Sequence, residues 1–510
     1  MRHPVGFERL AQRRESRIDS CHFHTAVRGA ILAVWLSSLC VAQAAGKPTA
    51  SPEFPLAPPP GAEVIELTPA PGMFSEPSIA VNPLNPQQLL AAYQVNASVA
   101  YSQDSGKTWA IAEGTAPRDY RRSGDVSVTF DNQGRAFLCY IAFDQLGTTN
   151  YWAHNATRNG IFVRRSPDGG QTWDKDASVI FAHPSDPGIP FEDKPYIVAD
   201  STHSKYAGNL YVGWTQFTLE KTIMLFSRST DGGQTWSKPI EISTQEGLPR
   251  DDNGAVEGFT GAVGADGTLY VVWCDISGIV LATSRDGGRT FSPSRTVVKT
   301  GPSYFDPEHV YRGNGFPQVG IDPRNDRLHV TWSDFTNGDI DVFAASSRDR
   351  GKTWSPAVRV NNDALHNGLD QFFQWLAVDP GDGSVNVIFC DRRTDPGNRT
   401  YYSVLARSTD AGRTFRNYVW STKPSDPRGV FMGDYVGIAA NGGKVYGIWP
   451  RAASPEEVQP KPEKPAEPSK PSAEEKSVEG EKAPRAPKLR GLFIEVGLAD
   501  FSTPESDATH

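Results

Sequence analysis

The sequence predicts an all-β fold, a β-propeller of seven four-stranded blades, from three observations. A turn motif recurs six times at a near-constant interval, a strand-plus-turn segment recurs seven times out of phase with it, and helical periodicity is hard to find after about residue 60. With 47 glycines and 40 prolines in 510 residues, the composition suits many short strands joined by tight turns.

The turn motif reads SQDSGKTW (102–109), SPDGGQTW (166–173), STDGGQTW (229–236), SRDGGRTF (284–291), SRDRGKTW (347–354) and STDAGRTF (408–415). Its aspartates, Asp104, Asp168, Asp231, Asp286, Asp349 and Asp410, stand about 60 residues apart, one supersecondary unit each. Alternating strands such as IMLFSRS and VFAASSR precede the motif, so each copy is a hairpin turn. Asp accepts from turn amides, Gly takes a backbone conformation closed to other residues, Ser and Thr fasten the turn, and Trp or Phe buries against the sheet.

The second repeat comprises EPSIAVN (76–82), DVSVTFD (125–131), KPYIVAD (194–200), GFTGAVG (258–264), FPQVGID (316–322), FQWLAVD (373–379) and DYVGIAA (434–440). Each is followed by another strand, among them NLYVGWTQ, TLYVVWCD, RLHVTWSD and KVYGIWP. The order inner strand, second strand, third strand, turn motif, outer strand is that of a propeller blade. Seven starts imply seven blades; six is the alternative if a terminal unit is irregular.

The chain divides accordingly. Residues 1–45 read as a signal peptide with a long basic leader: Arg28 precedes the apolar run AILAVWLSSLCVA, and Ala42-Gln43-Ala44 supplies a cleavage pattern. That run is short for a membrane span, and none is expected after signal removal. The expected location is secreted or periplasmic. Residues 46–61 form a Pro-rich linker and 62–451 the propeller. Residues 452–488, rich in Pro, Glu, Lys and Ala, read as a disordered insertion able to engage a protein partner. Residues 489–501 restore a strand that closes blade seven together with the strand near residue 62, and 502–510 are a tail.

Net charge of −8 argues against a nucleic-acid partner. Cys139, Cys274 and Cys390 sit in apolar strand patterns and read as buried small hydrophobes. No Cys/His metal spacing appears; a structural calcium is left open.

The pattern S-x-D-x-G-x-T-W resembles the Asp box of the sialidase and BNR-repeat superfamily, and EPSIAVNP, DKPYIVAD, FFQWLAVD, CDRRTD and FMGDYVGIAA look like bacterial secreted sialidase-like propellers. The resemblance covers residues 70–450. It implies boxes on the outer rim and a ligand site on the axis, where loops bring acids, arginines and tyrosines together. By chain order it implies Asp193 as acid/base, Tyr435 as nucleophile with Glu257 as its activator, and Arg121 or Arg122, Arg312 and Arg392 as grips on a substrate carboxylate, with Arg393 beside them. The expected function is an exported sialidase-like glycoside hydrolase acting on terminal sugars of a glycan, acidic ones included. The alternative is a non-catalytic propeller that binds glycans or proteins at the cell envelope.

Overall fold

The computed structural model describes residues 55–184, 189–458 and 491–503. The chain divides into residues 1–51 and 52–510; the signal peptide, most of the linker and insertion, and the end of the tail lie outside the described residues. Within 52–510 there are seven four-stranded antiparallel sheets and one two-stranded hairpin, with no helix among the described residues. None of the described residues therefore forms a helix long and apolar enough to cross a membrane.

The inner strands are Ser75–Val81, Arg122–Phe130, Phe191–Ala199, Glu257–Val263, Gln318–Asp322, Gln371–Val378 and Gly437–Asn441. Each blade then runs outward by antiparallel neighbours. The apolar residues of the second strands fill the layers between blades. In four of them one tryptophan per strand, Trp214, Trp273, Trp332 and Trp449, is wholly buried. Cys139, Cys274 and Cys390 are free and buried in the same layers.

Side chains of the inner strands also tie blade to blade. Ser78 Oγ accepts from Val128 N, Ser127 Oγ from Ile197 N, and Thr260 Oγ1 from Val319 N, each at 3.2 Å. The small hydroxyl residues thus satisfy amides that a neighbouring blade leaves unpaired.

Blade seven takes its strands from both ends of the chain. Lys444–Ala452 pairs with Leu492–Asp500 over nine residues, and Leu492–Asp500 pairs in turn with Glu63–Glu66. All six boxes share one bonding scheme. The Ser hydroxyl donates to Asp Oδ1 at 2.7–2.8 Å, the Thr hydroxyl to Asp Oδ2 at 2.5–2.8 Å, and the Gly amide to the Ser oxygen at 2.8–2.9 Å. Burial opposes ionisation of Asp410, yet the Thr414 amide, the Ser408 and Thr414 hydroxyls and the Arg413 amide outweigh it and bring the carboxyl to about 2. The boxes are turn staples.

Candidate active site

In five blades the inner strand carries a register shift at the same place, between Ser75 and Ser78, Gly124 and Ser127, Asp193 and Tyr196, Glu257 and Thr260, and Phe372 and Trp375. The residue inside each shift has a left-handed backbone: Glu76 (φ 49°), Asp125 (47°), Lys194 (50°), Gly258 (85°) and Phe373 (53°). For the four that are not glycine this costs on the order of 1 kcal/mol each. A bulge of this kind bends the strand and re-aims the side chains around it. Here it brings the pairs Ser75-Glu76, Gly124-Asp125, Asp193-Lys194 and Glu257-Gly258 to the axis.

Glu76, Asp125, Asp193, Lys194, Glu257, Arg312 and Asp434 line one cavity of about 290 Å³, with Arg122 at its edge and an apolar wall including Phe143, Trp152 and Phe191. Gly433 (φ 91°) lets Asp434 approach, since a Cβ there would stand 2.3 Å from Glu76 Cγ. Two cations reach this ring from within. Arg312 comes from the hairpin Tyr304–Phe305 and Gly313–Asn314, which is inserted between blades 4 and 5. Its Nε and Nη2 grip Asp434 at 2.8 and 2.5 Å, and Nη1 donates to Asp251. Lys194 lies over the rings of Phe316 and Tyr435 at 4.9 and 4.5 Å, and its buried Nζ has no hydrogen-bond partner among the described residues.

The carboxyls are unequal. Asp193 and Asp125 are hydrogen-bonded to each other, an arrangement that needs a shared proton. Burial first, then the charges of Asp125, Glu257 and Asp251, push Asp193 well above the usual carboxyl range. Burial and Asp251 do the same to Glu257, and burial with Asp125 to Glu76. Asp434 goes the other way: burial opposes its ionisation, but Arg312 and Lys194 hold it below the usual range. The pocket therefore sets carboxyls of raised and of lowered proton affinity side by side, the division acid–base chemistry requires.

Tyr304 Oη bridges Glu257 Oε2, at 2.6 Å, and Asp251, its single proton shared between the two contacts. Trp152 Nε1 donates to Asp251 at 2.9 Å. Tyr304 was not among the residues singled out from sequence. The only signal for it was the unusually long connection between the third-to-last box and the next inner strand, residues 292–315.

Of the residues expected at the site, Asp193, Glu257, Arg122 and Arg312 line the one cavity. Tyr435 points below it: its hydroxyl donates to the Val126 carbonyl at 3.1 Å, its ring packs on Trp375, and it lines a narrow axial channel of about 40 Å³. Burial raises the phenols of both Tyr435 and Tyr304, and it is the Tyr304 hydroxyl that is hydrogen-bonded to a carboxyl. Arg121 is exposed outside the cavity. Arg392 lies apart and wholly buried, over Phe372, donating to the carbonyls of Asn398 (2.7 Å) and Glu308 (2.6 Å). Arg393 pairs with Asp391 at 2.6 Å and reaches Asn362 and Asn417 between blades. Apart from Arg392 Nε, which is buried without a partner among the described residues, the side-chain donors of these two arginines are engaged by loop and inter-blade acceptors.

Among the described residues no group of three or more His, Cys, Asp or Glu is disposed to hold a metal ion.

The chain is a seven-bladed β-propeller whose hairpin turns carry the six boxes. The BNR/Asp-box repeat family matches residues 227–238, the third box. Solved structures similar to the chain include a Hadza microbial sialidase, 17% identical over 71% of this chain and 70% of that one (TM-score 0.43). Others are an ulvan lyase of a polysaccharide lyase family, 11% identical over 74% and 92% (0.44), and an α-L-arabinofuranosidase of Fusarium graminearum, 13% identical over 74% and 94% (0.44). Likenesses this distant carry no assignment of substrate. No curated protein matches the chain.

Proposed function

We propose that the protein is a glycoside hydrolase that cleaves a terminal sugar at the axial pocket. The observation that carries this reading is the pairing, in one cavity, of a proton-holding Asp193 with a Glu257 oriented by Tyr304. Asp193 gives its proton to the leaving-group oxygen as the glycosidic C–O bond breaks. Glu257 serves the anomeric carbon in its ionised form, by attack or by deprotonating the attacking water; Lys194, the Tyr304 hydroxyl and Arg312 favour that form against burial and Asp251, and the configuration of the released sugar separates the two routes. The cavity stands at the small end of ligand sites, which fits a single sugar ring better than a chain threading through. The sequence resemblance to sialidases supports the class. For an acidic sugar the available cations are Arg122 and Lys194, since Arg312 is already clamped between Asp434 and Asp251.

The test is turnover of neutral, uronic and sialic aryl glycosides by the purified protein. Asp193→Asn and Glu257→Gln each lower kcat at least about 100-fold with Tm unchanged. Turnover that neither change reduces overturns the assignment, and saturable glycan binding without turnover by the unaltered protein selects the binding-protein reading. The basic, apolar leader at 1–45 supports action outside the cytoplasm. Finding the intact leader on cytoplasmic protein overturns that part.

A further inference from the structure

The hairpin between blades 4 and 5 is fastened at three points near its tip. Arg392 Nη2 donates to the Glu308 carbonyl at 2.6 Å. His309 Nδ1 stands 3.2 Å from Asp426, and Arg312 is held by Asp434 and Asp251. Beside these fixed points sits Tyr311, a large ring left 63% exposed in a segment whose backbone is fastened on both sides of it. Its hydroxyl has no hydrogen-bond partner among the described residues. Its ring meets Phe431 at 90° with centroids 5.8 Å apart, and Phe431 itself lines the acid pocket.

An exposed aromatic ring that adds little to the core, on a fastened backbone and against a residue that lines the pocket, offers a surface to a ligand. Because its backbone is already ordered, binding sacrifices little further freedom. Sugar rings offer apolar C–H faces framed by hydroxyls, and tyrosine offers an apolar face with a polar tip, so the two stack without stripping water from the hydroxyls. The cavity holds about one ring, and a glycan cleaved at its mouth leaves the next ring outside. We propose that Tyr311, buttressed by Phe431, is the platform on which this second sugar ring stacks. The subsite rests on the hydrolase reading above for its direction, and it makes the substrate a chain of at least two sugars, with specificity for the leaving group residing on the inserted hairpin.

The experiment is a glycan array carrying monosaccharides and matching di- to tetrasaccharides attached through their reducing ends, probed with Asp193→Asn protein. Longer glycans are retained about tenfold more tightly than the matching monosaccharide, the range expected for one aromatic stacking contact. Adding Tyr311→Ala erases that preference, and Tyr311→Trp restores it, with Tm the same in both. A chain-length preference untouched by Tyr311→Ala, or an array that retains no glycan, overturns the platform. The two readings fail separately. Turnover of aryl glycosides with an unaltered length preference removes the platform and leaves the hydrolase. A Tyr311-dependent preference in a protein that hydrolyses nothing removes the hydrolase and leaves the platform.

Discussion

Replacing Arg312 with leucine tests the electrostatic core of the site without requiring a substrate. Arg312 is the shared partner of two buried carboxylates: its side chain is 17% exposed, those of Asp251 and Asp434 are 0% and 6%. Removing one member of such a set leaves uncompensated buried charge, at a cost of about 3–5 kcal/mol. Roughly 410 described residues, at about 2.1 cal/mol/K each, give an unfolding entropy near 0.9 kcal/mol/K, so Tm falls by about 3–6 °C. The pH dependence carries the sharper signature. In the unaltered protein Asp434 is held below its ordinary range, so its contribution is present above the unfolded carboxyl value and fades as pH falls through the folded one. Without the guanidinium, burial dominates and raises Asp434. Its penalty then grows as pH rises through the unfolded value and disappears under acid. Melting curves at pH 5 and pH 8 should therefore show the larger deficit at pH 8. Arg312→Lys falls in between, because an ammonium keeps the charge but cannot form the two-pronged contact. A deficit equal at both pH values, or larger at pH 5, would refute this account of the clamp.

Three further outcomes follow from geometry already described. Asp125→Asn removes both the charge and the hydrogen bond that raise Asp193, so the alkaline limb of the pH–rate profile moves to lower pH; a limb that stays or moves up contradicts the shared proton. Replacing residues 460–489 with a few glycines leaves the propeller intact and raises Tm by about 1 °C through the shorter loop, since Ala452 already pairs with Leu492; a drop of several degrees shows that the insertion carries structure. Asp231→Ala releases Thr235 and the turn built around it, so the amides of Gly233 and Thr235 exchange faster with solvent while glycosidase activity is unchanged; slowed turnover would mean the rim communicates with the axis.

The propeller was legible because its repeats demand particular residue types. The bonding scheme of each box needs Ser, Asp, Gly and Thr at fixed offsets, and LFIEVGLAD has the apolar pattern of a strand with partners on both sides, as its pairing shows. The site was legible only in part. Aligned, the seven inner-strand segments begin Glu76, Asp125, Lys194, Gly258, Phe316, Phe373 and Asp434; four of that column, Glu76, Asp125, Lys194 and Asp434, line the cavity, and Asp193 and Glu257 stand one position before it. The left-handed bulge that turns it inward is a backbone property with no local residue code, since Glu, Asp, Lys, Gly and Phe all adopt it here. Nor does local pattern separate Arg312 from Arg392. Both lie in charged loops, and which one reaches the axis is decided by the path of a 24-residue connection, 292–315, stabilised by contacts with blades far away in sequence.

The recurrent bulge has an evolutionary consequence. Three of the five copies of this backbone device present side chains, Glu76, Asp125 and Lys194, to one cavity, while strand register and much of the inter-blade packing are set by other residues. Exchanging a side chain at one of them rewrites the chemistry at the axis without disturbing the ring, so duplication of a single unit would have supplied a scaffold and also a set of independently mutable slots. New specificities on such a ring can then arise by substitution at the slots, one blade at a time.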